Sequence, residues 1–344
     1  MPPRKKQRVG GSAEPEETST PIERYQFPTV RPGLPLIDTY TYHSDSKDEN
    51  DKLGEEVGGK EQEEEWMLGV DEAGRGPALG PQVYGIAYCK VSYAEELSGL
   101  GFFDSKTLTD PIREELFKSI IEHEKDVKYS VTVMSPNDIS MGMLRRIPYN
   151  LNAQSHDCTI NLIREVVEKG YNIKQCFVDT VGPAADYQAK LSSLFPTISF
   201  TVCSKADALF PIVSAASIVA KITRDRVLED WTFLEEKVSK EEGAKQEDRE
   251  EDADRRLFGS GYPSDPKTVA WLESNFNPVF GFPNVARFSW APVRNALIKK
   301  GIQLKWSDEP ATIQKFFSAE DDKGGLLERS ALWKDLSLVS VGDF

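Results

Sequence analysis

The residues of this sequence whose types and spacing suit chemistry are acids that follow apolar runs. Residues 66–70 form such a run, typical of a buried strand, and it ends in Asp71 and Glu72. Burying carboxylates at a strand end costs free energy unless positive charge lies on them, and a metal ion is the usual source. The Gly-Arg-Gly turn that follows, residues 74–76, offers bare backbone and one cation to an anionic ligand. The stretch therefore predicts a metal-bearing phosphate site.

A simpler interpretation stays open on these residues alone. Adjacent acids before a glycine turn are commonly a solvated strand end. The residues after the acids, GRGPALG, also lack the Gly-Lys-Ser/Thr sequence that closes a nucleotide-binding phosphate loop. The metal interpretation therefore depends on further acids at the ends of other strands.

Two more apolar runs end in acids. IKQCFVD ends in Asp179, and SFTVCSKAD ends in Asp207. Strands that alternate with helices predict a mixed α/β sheet, whose strand ends meet at one edge. Four carboxylates without a histidine partner disfavour zinc and suit Mg²⁺ or Mn²⁺. Two such ions about 4 Å apart can activate a water and stabilise the leaving oxygen in phosphodiester cleavage.

Apolar periodicity places these motifs on secondary structure. It predicts strands at 66–72, 82–90, 127–135, 173–179 and 199–207, and helices from 110, over 151–169 and 187–195, from 213, over 268–275 and near 293–300. The three histidines form no alternative site, because His43 lies in a region predicted to be disordered, His123 at a helix end and His156 at a helix start.

A net charge of −14 is unfavourable for binding nucleic acid, which is itself negatively charged, but the negative charge is localised in the sequence. Residues 45–65 carry a net charge of −7 and residues 235–254 a net charge of −6, which leaves −1 for the rest. An acidic total therefore does not exclude a basic face on the folded part.

Changes in composition divide the chain into five segments. Residues 1–62 are predicted to be a disordered acidic tail with a basic start, because they lack apolar periodicity. The remaining segments are a folded core at 63–235, an acidic insertion at 236–256, a loop and helical C-terminal part at 257–306, and a tail at 307–344 that is a candidate for docking a partner.

Localisation is expected to be intracellular. Four scattered cysteines without a CxxC pair indicate reduced core residues, and no apolar run reaches the length of a membrane span. The basic cluster PRKKQR, residues 3–8, is either a nuclear import signal or an ordinary charged tail.

Seven blocks, in order between about residues 66 and 295, resemble the catalytic subunits of eukaryotic type 2 ribonucleases H, in the ribonuclease HII family. The blocks are GVDEAGRGPALGP, FDSKTL, YNLNAQSHD, FVDTVG, SKADALFPIVSAASIVAKITRD, GSGYPSDPKT and PVFGFPNVARFSW. Several long blocks in order are far more specific than one short motif. The resemblance implies a ribonuclease H-like mixed β-sheet flanked by helices, with a helical C-terminal extension. It makes residues 63–235 the catalytic core and places the substrate-contacting loop in residues 257–306.

The resemblance also implies residue roles. The four acids match the family's metal ligands, with two Mg²⁺ or Mn²⁺ ions expected in the substrate complex. Gly74, Arg75 and Gly76 would contact the 2′-hydroxyl and backbone of the ribonucleotide, and Tyr262 would lie against the sugar at the junction. This agrees with the chemistry, because the 2′-hydroxyl is both donor and acceptor and distinguishes RNA from DNA. Candidate contacts to phosphate, or to the residues around it, are Lys106, Asn150 and Arg224, although a lone lysine or arginine is more often part of a salt bridge.

The activity implied is hydrolysis on the 5′ side of ribonucleotides, in RNA/DNA hybrids and at single ribonucleotides in duplex DNA, leaving 3′-hydroxyl and 5′-phosphate. The resemblance further implies two non-catalytic subunits in a heterotrimer, a nuclear location, and a role in ribonucleotide removal and DNA replication or repair. Two alternatives remain: a resolvase-like nuclease, which would cut all-DNA junctions, and a catalytically silent nucleic-acid-binding or scaffold subunit, which the presence of all four acids disfavours.

Overall fold

A mixed sheet organises the protein. The computed structural model describes residues 25–45, 64–102, 108–180, 182–234 and 258–303. Its strands, in chain order, are β1 (Tyr40–His43), β2 (Trp66–Ala73), β3 (Gln82–Lys90), β4 (Val127–Met134), β5 (Ile173–Asp179) and β6 (Ser199–Cys203). Their order across the sheet is β1-β4-β3-β2-β5-β6. The pairs from β1 to β2 are antiparallel, and β2-β5 and β5-β6 are parallel, which confirms the predicted mixed sheet.

Helices flank this sheet. In the described part of the chain they are α1 (Ala94–Gly99), α2 (Asp110–Glu122), α3 (Pro136–Met143), α4 (Leu151–Glu168), α5 (Ala184–Leu194), α6 (Ala206–Leu209), α7 (Pro211–Glu229), α8 (Pro266–Ser274) and α9 (Ala291–Lys300). A 3₁₀ turn at Val91–Tyr93 precedes α1. The sequence predicted α2, α4, α5, α7, α8 and α9 to within a few residues, but it missed α1, α3 and α6.

Helix α7 packs unusually close to the sheet because glycines face it. A Cβ at Gly69 on β2 would lie 2.4 Å from the carbonyl oxygen of Ile212, and one at Gly85 on β3 would lie 2.6 Å from that of Ala216. Small side chains on the helix, including Ala215 and Ala216, also permit this close packing between helix and sheet. The close approach fixes the β2 strand end against the helix, and β2 carries the first two acids.

The prediction that residues 1–62 are disordered is wrong for residues 25–45. Strand β1 pairs with β4 along its whole length. Phe27 is buried and stacks on Phe117 with ring centroids 4.7 Å apart, and the hydroxyls of Thr29 and Thr223 share a buried 2.8 Å hydrogen bond. The apolar residues of this segment are few and irregularly spaced, and the surrounding tail is rich in charge. Composition and periodicity therefore did not predict that this segment is ordered.

Other sequence features fit this architecture. Cys89, Cys158, Cys176 and Cys203 all lack a disulfide partner, and Cys89 and Cys176 are buried. Among the described residues, no helix combines the length and apolar character needed to cross a membrane. The basic cluster at 3–8, the acidic insertion at 236–256 and the tail at 307–344 lie outside the described residues.

Candidate active site

The end of β2 places two acids at successive positions, of which Asp71 is buried and Glu72 is partly buried. Asp71 is only 7% exposed, and its Oδ1 accepts a 2.7 Å hydrogen bond from the backbone N–H of Glu72. Burial raises the pKa of Asp71 to about 7, and the negative charges of Asp179 and Asp207 add to that increase. The site therefore disfavours the charged form of Asp71 until a cation offsets it.

Glu72 is also held in a poorly solvated environment. Burial raises its pKa, and the nearby charge of Arg75 opposes the increase. The Nη1 atom of Arg75 lies 3.6 Å from Oε1 of Glu72, while Oε2 of Glu72 is buried and has no hydrogen-bond partner. A buried carboxylate oxygen without a partner is costly, which makes it a candidate ligand atom.

Asp179 ends β5, the parallel neighbour of β2, as predicted. Its Oδ1 accepts hydrogen bonds from the backbone N–H groups of Thr180, at 3.0 Å, and Ala206, at 3.3 Å. Asp71, Glu72 and Asp179 line one cavity of about 30 Å³. The remaining walls of this cavity come from Val70, Tyr84, Thr159, Val178, Thr180 and Tyr187.

Asp207 reaches the site differently from the prediction. Strand β6 ends at Cys203, and Asp207 lies in the first turn of the short helix α6, where it is 2% exposed. Lys205, between them, adopts a left-handed conformation with φ of 58°, so the chain turns sharply out of the strand. Asp207 is near enough to influence the pKa of Asp71, but it does not line the cavity.

These acids do not form a closed cage for a metal ion. Among the described residues, no group of three or more His, Cys, Asp or Glu side chains has that arrangement. Mg²⁺ sites usually keep several waters and take ligands from substrate phosphates, so an open arrangement of carboxylates suits this ion better than a complete cage would.

The Gly-Arg-Gly turn is shaped by its glycines. Gly74 has a φ of +81°, and a Cβ there would lie 2.4 Å from Nε of Arg224. A Cβ at Gly76 would lie 2.9 Å from Cε1 of the Tyr262 ring. The turn and Tyr262, which are far apart in sequence, therefore form one surface, and Tyr262 keeps 44% of its area exposed there.

Arg75 is tied to the first turn of α4. Its guanidinium donates a 2.9 Å hydrogen bond to Oγ of Ser155 and a further bond to Oδ1 of Asn152. The side chain is thus oriented before any ligand binds, with about a third of it exposed. Such an arrangement presents a fixed cation beside Glu72.

The three candidate phosphate contacts differ in where the structure places them. Lys106 lies outside the described residues. Asn150 caps helix α4, because its Oδ1 accepts a 2.9 Å hydrogen bond from the N–H of Ala153. Arg224 is buried between the turn and the loop that carries Tyr262, and it donates to Oδ1 of Asp225 at 3.1 Å and to the carbonyl of Ser260 at 3.4 Å. The structure therefore gives Asn150 and Arg224 positioning contacts.

The sequence analysis did not predict a role for Arg287, which stabilises the backbone of the Gly-Arg-Gly turn. Arg287 is fully buried and donates to the carbonyls of Gly80, Arg75 and Gly74 at 2.8, 3.1 and 2.6 Å. Burial lowers its pKa to about 9, and the charge of Arg224 contributes. An arginine inside the apolar and aromatic run VFGFPNVARFSW was the available signal, since arginine is almost never fully buried without partners.

The sequence also missed two residues that brace the turn and the cavity. Trp290 donates from Nε1 to the carbonyl of Gly76 at 3.0 Å. Tyr84 on β3 is buried, lines the cavity, and shares a hydrogen bond with Ser155. The alternation of β3 gave no sign that one of its tyrosines would face the acids.

Comparison with known proteins shows which family and which relatives this chain is similar to. A family model described as Ribonuclease HII matches residues 68–293. The chain is 46% identical over 259 residues to the ribonuclease H2 A subunit of Bos taurus, covering 73% of this chain and 82% of that protein. It is 41% identical over 296 residues to the ribonuclease H2 A subunit of Schizosaccharomyces pombe, covering 83% of this chain and 81% of that protein. Among solved structures, the ribonuclease H2 of Pyrococcus horikoshii OT3 aligns with a TM-score of 0.52 and 30% identity, covering 68% of this chain and 97% of that one.

Proposed function

The chain belongs to the ribonuclease HII family of nucleases, and on that premise we propose that it is a metal-dependent endoribonuclease acting on RNA in duplex with DNA. It hydrolyses the phosphodiester on the 5′ side of a ribonucleotide, leaving 3′-hydroxyl and 5′-phosphate. Its substrates are RNA/DNA hybrids and single ribonucleotides embedded in duplex DNA. One observation carries the proposal: three carboxylates, of which Asp71 is buried and the other two are partly buried, line one cavity at the end of the strand that leads into the turn against Tyr262.

The acids fit Mg²⁺ or Mn²⁺, with two ions in the substrate complex. Asp71, Glu72, Asp179 and Asp207 would hold them through carboxylate oxygens, the ligands that these hard ions prefer. The Oε2 atom of Glu72 has no hydrogen-bond partner and the pKa of Asp71 is raised, so the protein alone does not fully compensate the charge of these two carboxylates. When bound, the ions would stabilise charge on the phosphate and lower the pKa of an attacking water.

Recognition of the ribonucleotide is assigned to the surface formed by the turn and Tyr262. Bare backbone at Gly74 and Gly76 allows a nucleic acid backbone to approach closely. The Tyr262 hydroxyl is a donor and an acceptor, which suits a 2′-hydroxyl, and its ring can pack on a sugar. Arg75, oriented by Asn152 and Ser155, supplies positive charge for an adjacent phosphate.

Partners and cellular role are part of the same proposal. Relatives that are named as one subunit of ribonuclease H2 support an assembly, which we take to be a heterotrimer with two non-catalytic subunits. The basic cluster at 3–8 supports a nuclear location, where removal of ribonucleotides during DNA replication and repair would need this activity.

A cleavage assay tests the activity. End-labelled duplex DNA with one ribonucleotide is incubated with Mg²⁺ or with EDTA, beside an all-DNA duplex of the same sequence. The chain is assayed alone and after co-expression with the companion subunits. We expect metal-dependent cutting only at the 5′ side of the ribonucleotide. Cutting of all-DNA would favour a resolvase-like nuclease, and no cutting with the companion subunits bound would favour a silent subunit.

Ribonucleotide recognition is tested with Tyr262→Phe, which keeps the ring and removes the hydroxyl. We expect about a 10- to 100-fold loss of kcat/KM on the single-ribonucleotide duplex, the cost of one unmade polar contact. Tyr171→Phe, on a hydroxyl that bonds Asp45 at 3.1 Å, is the control. Equal loss in both variants, or none in Tyr262→Phe, would contradict the assignment.

A further inference from the structure

One serine beside the acids makes three hydrogen bonds with a single hydroxyl. Ser155 on α4 is fully buried. Its Oγ donates to the carbonyl of Leu151 at 2.8 Å, accepts from Nη1 of Arg75 at 2.9 Å, and bonds the hydroxyl of Tyr84. A hydroxyl has one hydrogen and two lone pairs. Because the serine hydrogen lies on Leu151 and arginine only donates, Tyr84 is the donor in the third bond.

Tyr84 uses both functions of its hydroxyl inside the protein. Gln82 donates from Nε2 to the Tyr84 oxygen at 2.5 Å, and both side chains are buried. The tyrosine hydrogen is donated to Ser155, as the three bonds of that serine require. Whether Ser155 is present therefore decides where the one hydrogen of Tyr84 points.

The other acceptor within reach of Tyr84 is Glu72. The two residues are direct partners in the register of β2 and β3, and such pairs lie on the same face of a sheet with their Cβ atoms about 5 Å apart. Both line the cavity of the acids, where Oε2 of Glu72 is buried without a hydrogen-bond partner. Burial raises the pKa of Glu72, while the charge of Arg75 and the hydroxyl of Tyr84 oppose the increase, which also indicates that this hydroxyl is near the carboxylate.

We propose that Ser155 is a positioning residue of the metal site: it takes the hydrogen of Tyr84 that Glu72 would otherwise accept, and so leaves Oε2 of Glu72 available to a cation. The inference rests on the proposed function, which makes Glu72 a metal ligand. The same hydroxyl holds the guanidinium of Arg75, whose Nη1 lies 3.6 Å from Oε1 of Glu72. One buried hydroxyl thus acts on both the metal ligand and the cation of the Gly-Arg-Gly turn, as hydrogen-bond partners around metal ligands commonly do.

The first experiment measures Mn²⁺ binding directly, without turnover. Mn²⁺ is titrated into the full chain and the free ion is followed by electron paramagnetic resonance, with Asp71→Asn giving the baseline for ions bound elsewhere. We expect Ser155→Ala to weaken Mn²⁺ binding about 10-fold, because Tyr84 then donates to Glu72. Adding Tyr84→Phe removes that donor, so the double variant should bind Mn²⁺ with wild-type affinity.

The hold on Arg75 is measured by cleavage kinetics on the single-ribonucleotide duplex at saturating Mn²⁺. Ser155→Ala and Asn152→Ala each remove one hydrogen bond to the guanidinium. We expect both to raise KM about 3- to 10-fold, but only Ser155→Ala to change Mn²⁺ affinity. Ser98→Ala is the matched control, since it removes a helical serine bond to the carbonyl of Ala94 at 2.9 Å, and it should change neither quantity.

Folding is checked by thermal unfolding of every variant. Ser155→Cys is the second variant at the buried position, because it fills nearly the same space with a weak acceptor. It should weaken Mn²⁺ binding in the same direction as Ser155→Ala while keeping the packing.

The remaining outcomes separate the inference from the proposed function. Wild-type Mn²⁺ affinity in Ser155→Ala or Ser155→Cys would overturn the inference alone. So would a double variant that binds Mn²⁺ more weakly than Ser155→Ala, because the loss would then come from damaged packing. Wild-type Mn²⁺ binding that does not depend on Asp71, or no cleavage at the ribonucleotide by wild type, would overturn the proposed function and the inference with it.

Discussion

At the scale of single residues, the four acids differ in how the fold treats their charge. Asp71 and Glu72 are desolvated and their pKa values are raised, whereas Asp179 receives two backbone N–H donors. Asp207 is buried within a helical turn. The fold thus holds negative charge in place at a free-energy cost, which is the expected condition of a site that binds cations.

The assignment of Asp71 is tested with Asp71→Asn, which keeps the shape and removes the charge. We expect a loss of cleavage of more than about 10³-fold, because a metal ligand supports several kcal/mol of transition-state stabilisation. Substrate affinity, measured by fluorescence anisotropy, should change little, since the turn and Tyr262 remain. Asp230→Asn, at an exposed acid after α7, is the control. Cleavage by Asp71→Asn at the wild-type rate would refute the ligand role.

At the scale of elements, the position of α7 against β2 and β3 depends on two glycines. Their missing side chains let the helix backbone lie against the sheet, and the same helix carries Arg224 to the back of the Gly-Arg-Gly turn. The position of strand β1 also depends on contacts between elements. It pairs with β4, and it also contacts a side chain of α4.

Gly85→Ala is expected to destabilise the protein by about 1–3 kcal/mol, the usual cost of overpacking. The added Cβ would lie 2.6 Å from the carbonyl oxygen of Ala216, a backbone atom that cannot rotate away. Urea denaturation measures the change. Gly99→Ala, where nothing lies within 4 Å of the added Cβ, should be neutral or slightly stabilising. Equal effects in the two variants would contradict this account.

The attachment of β1 should depend on pH through His43. Its Nδ1 pairs with Oγ of Ser130 at 2.8 Å and its Nε2 lies 3.2 Å from Glu165. Burial and the charge of Lys169 lower its pKa from the ordinary 6.5, while Glu165 and Asp45 oppose this. The folded state therefore binds the proton less readily than the unfolded state, so this contribution is present above 6.5 and lost as the pH falls below it.

The measurement compares wild type with His43→Gln by urea denaturation at about pH 7.5 and about pH 5.5. We expect the wild type to lose more unfolding free energy on acidification than His43→Gln does. His123→Gln, at the end of α2, is the control for histidine loss elsewhere. A pH-independent difference between wild type and His43→Gln would contradict the predicted pKa shift.

At the scale of the whole molecule, charge is distributed unevenly. Nearly all of the net −14 lies in residues 45–65 and 235–254, although Asp45 at the start of the first run is already bonded to Lys169 in the fold. The rest of the chain is almost neutral, so most of the excess negative charge that would repel nucleic acid at long range lies in these two acidic stretches.

Deleting residues 236–254 removes a large part of that repulsion. We expect the truncated protein to bind an RNA/DNA hybrid more tightly at low salt and to differ less from wild type as salt screens the charge. Binding titrations over a range of salt concentrations measure the effect. An equal salt dependence in the two proteins would show that the acidic insertion does not repel the substrate.

The sequence by itself determined the mixed sheet, six of the described helices, and the placement of Asp71, Glu72 and Asp179 at strand ends. These features follow from local apolar periodicity and turn chemistry, which act over a few residues. The same reasoning failed at residues 25–45, whose order depends on contacts such as Phe27 with Phe117, and at Asp207, where a left-handed Lys205 ends the strand early.

Only the tertiary structure decided which distant residues share the site. Arg287 lies more than two hundred residues from Gly74 in the chain, yet it bonds the Gly74 carbonyl, and Tyr262 meets Gly76 across a similar interval. No local pattern encodes such pairings, because they are fixed by the order of strands and by how closely helices pack on them. The acids could be found from their spacing, but the buried arginines and aromatic residues that shape the Gly-Arg-Gly turn required the folded chain.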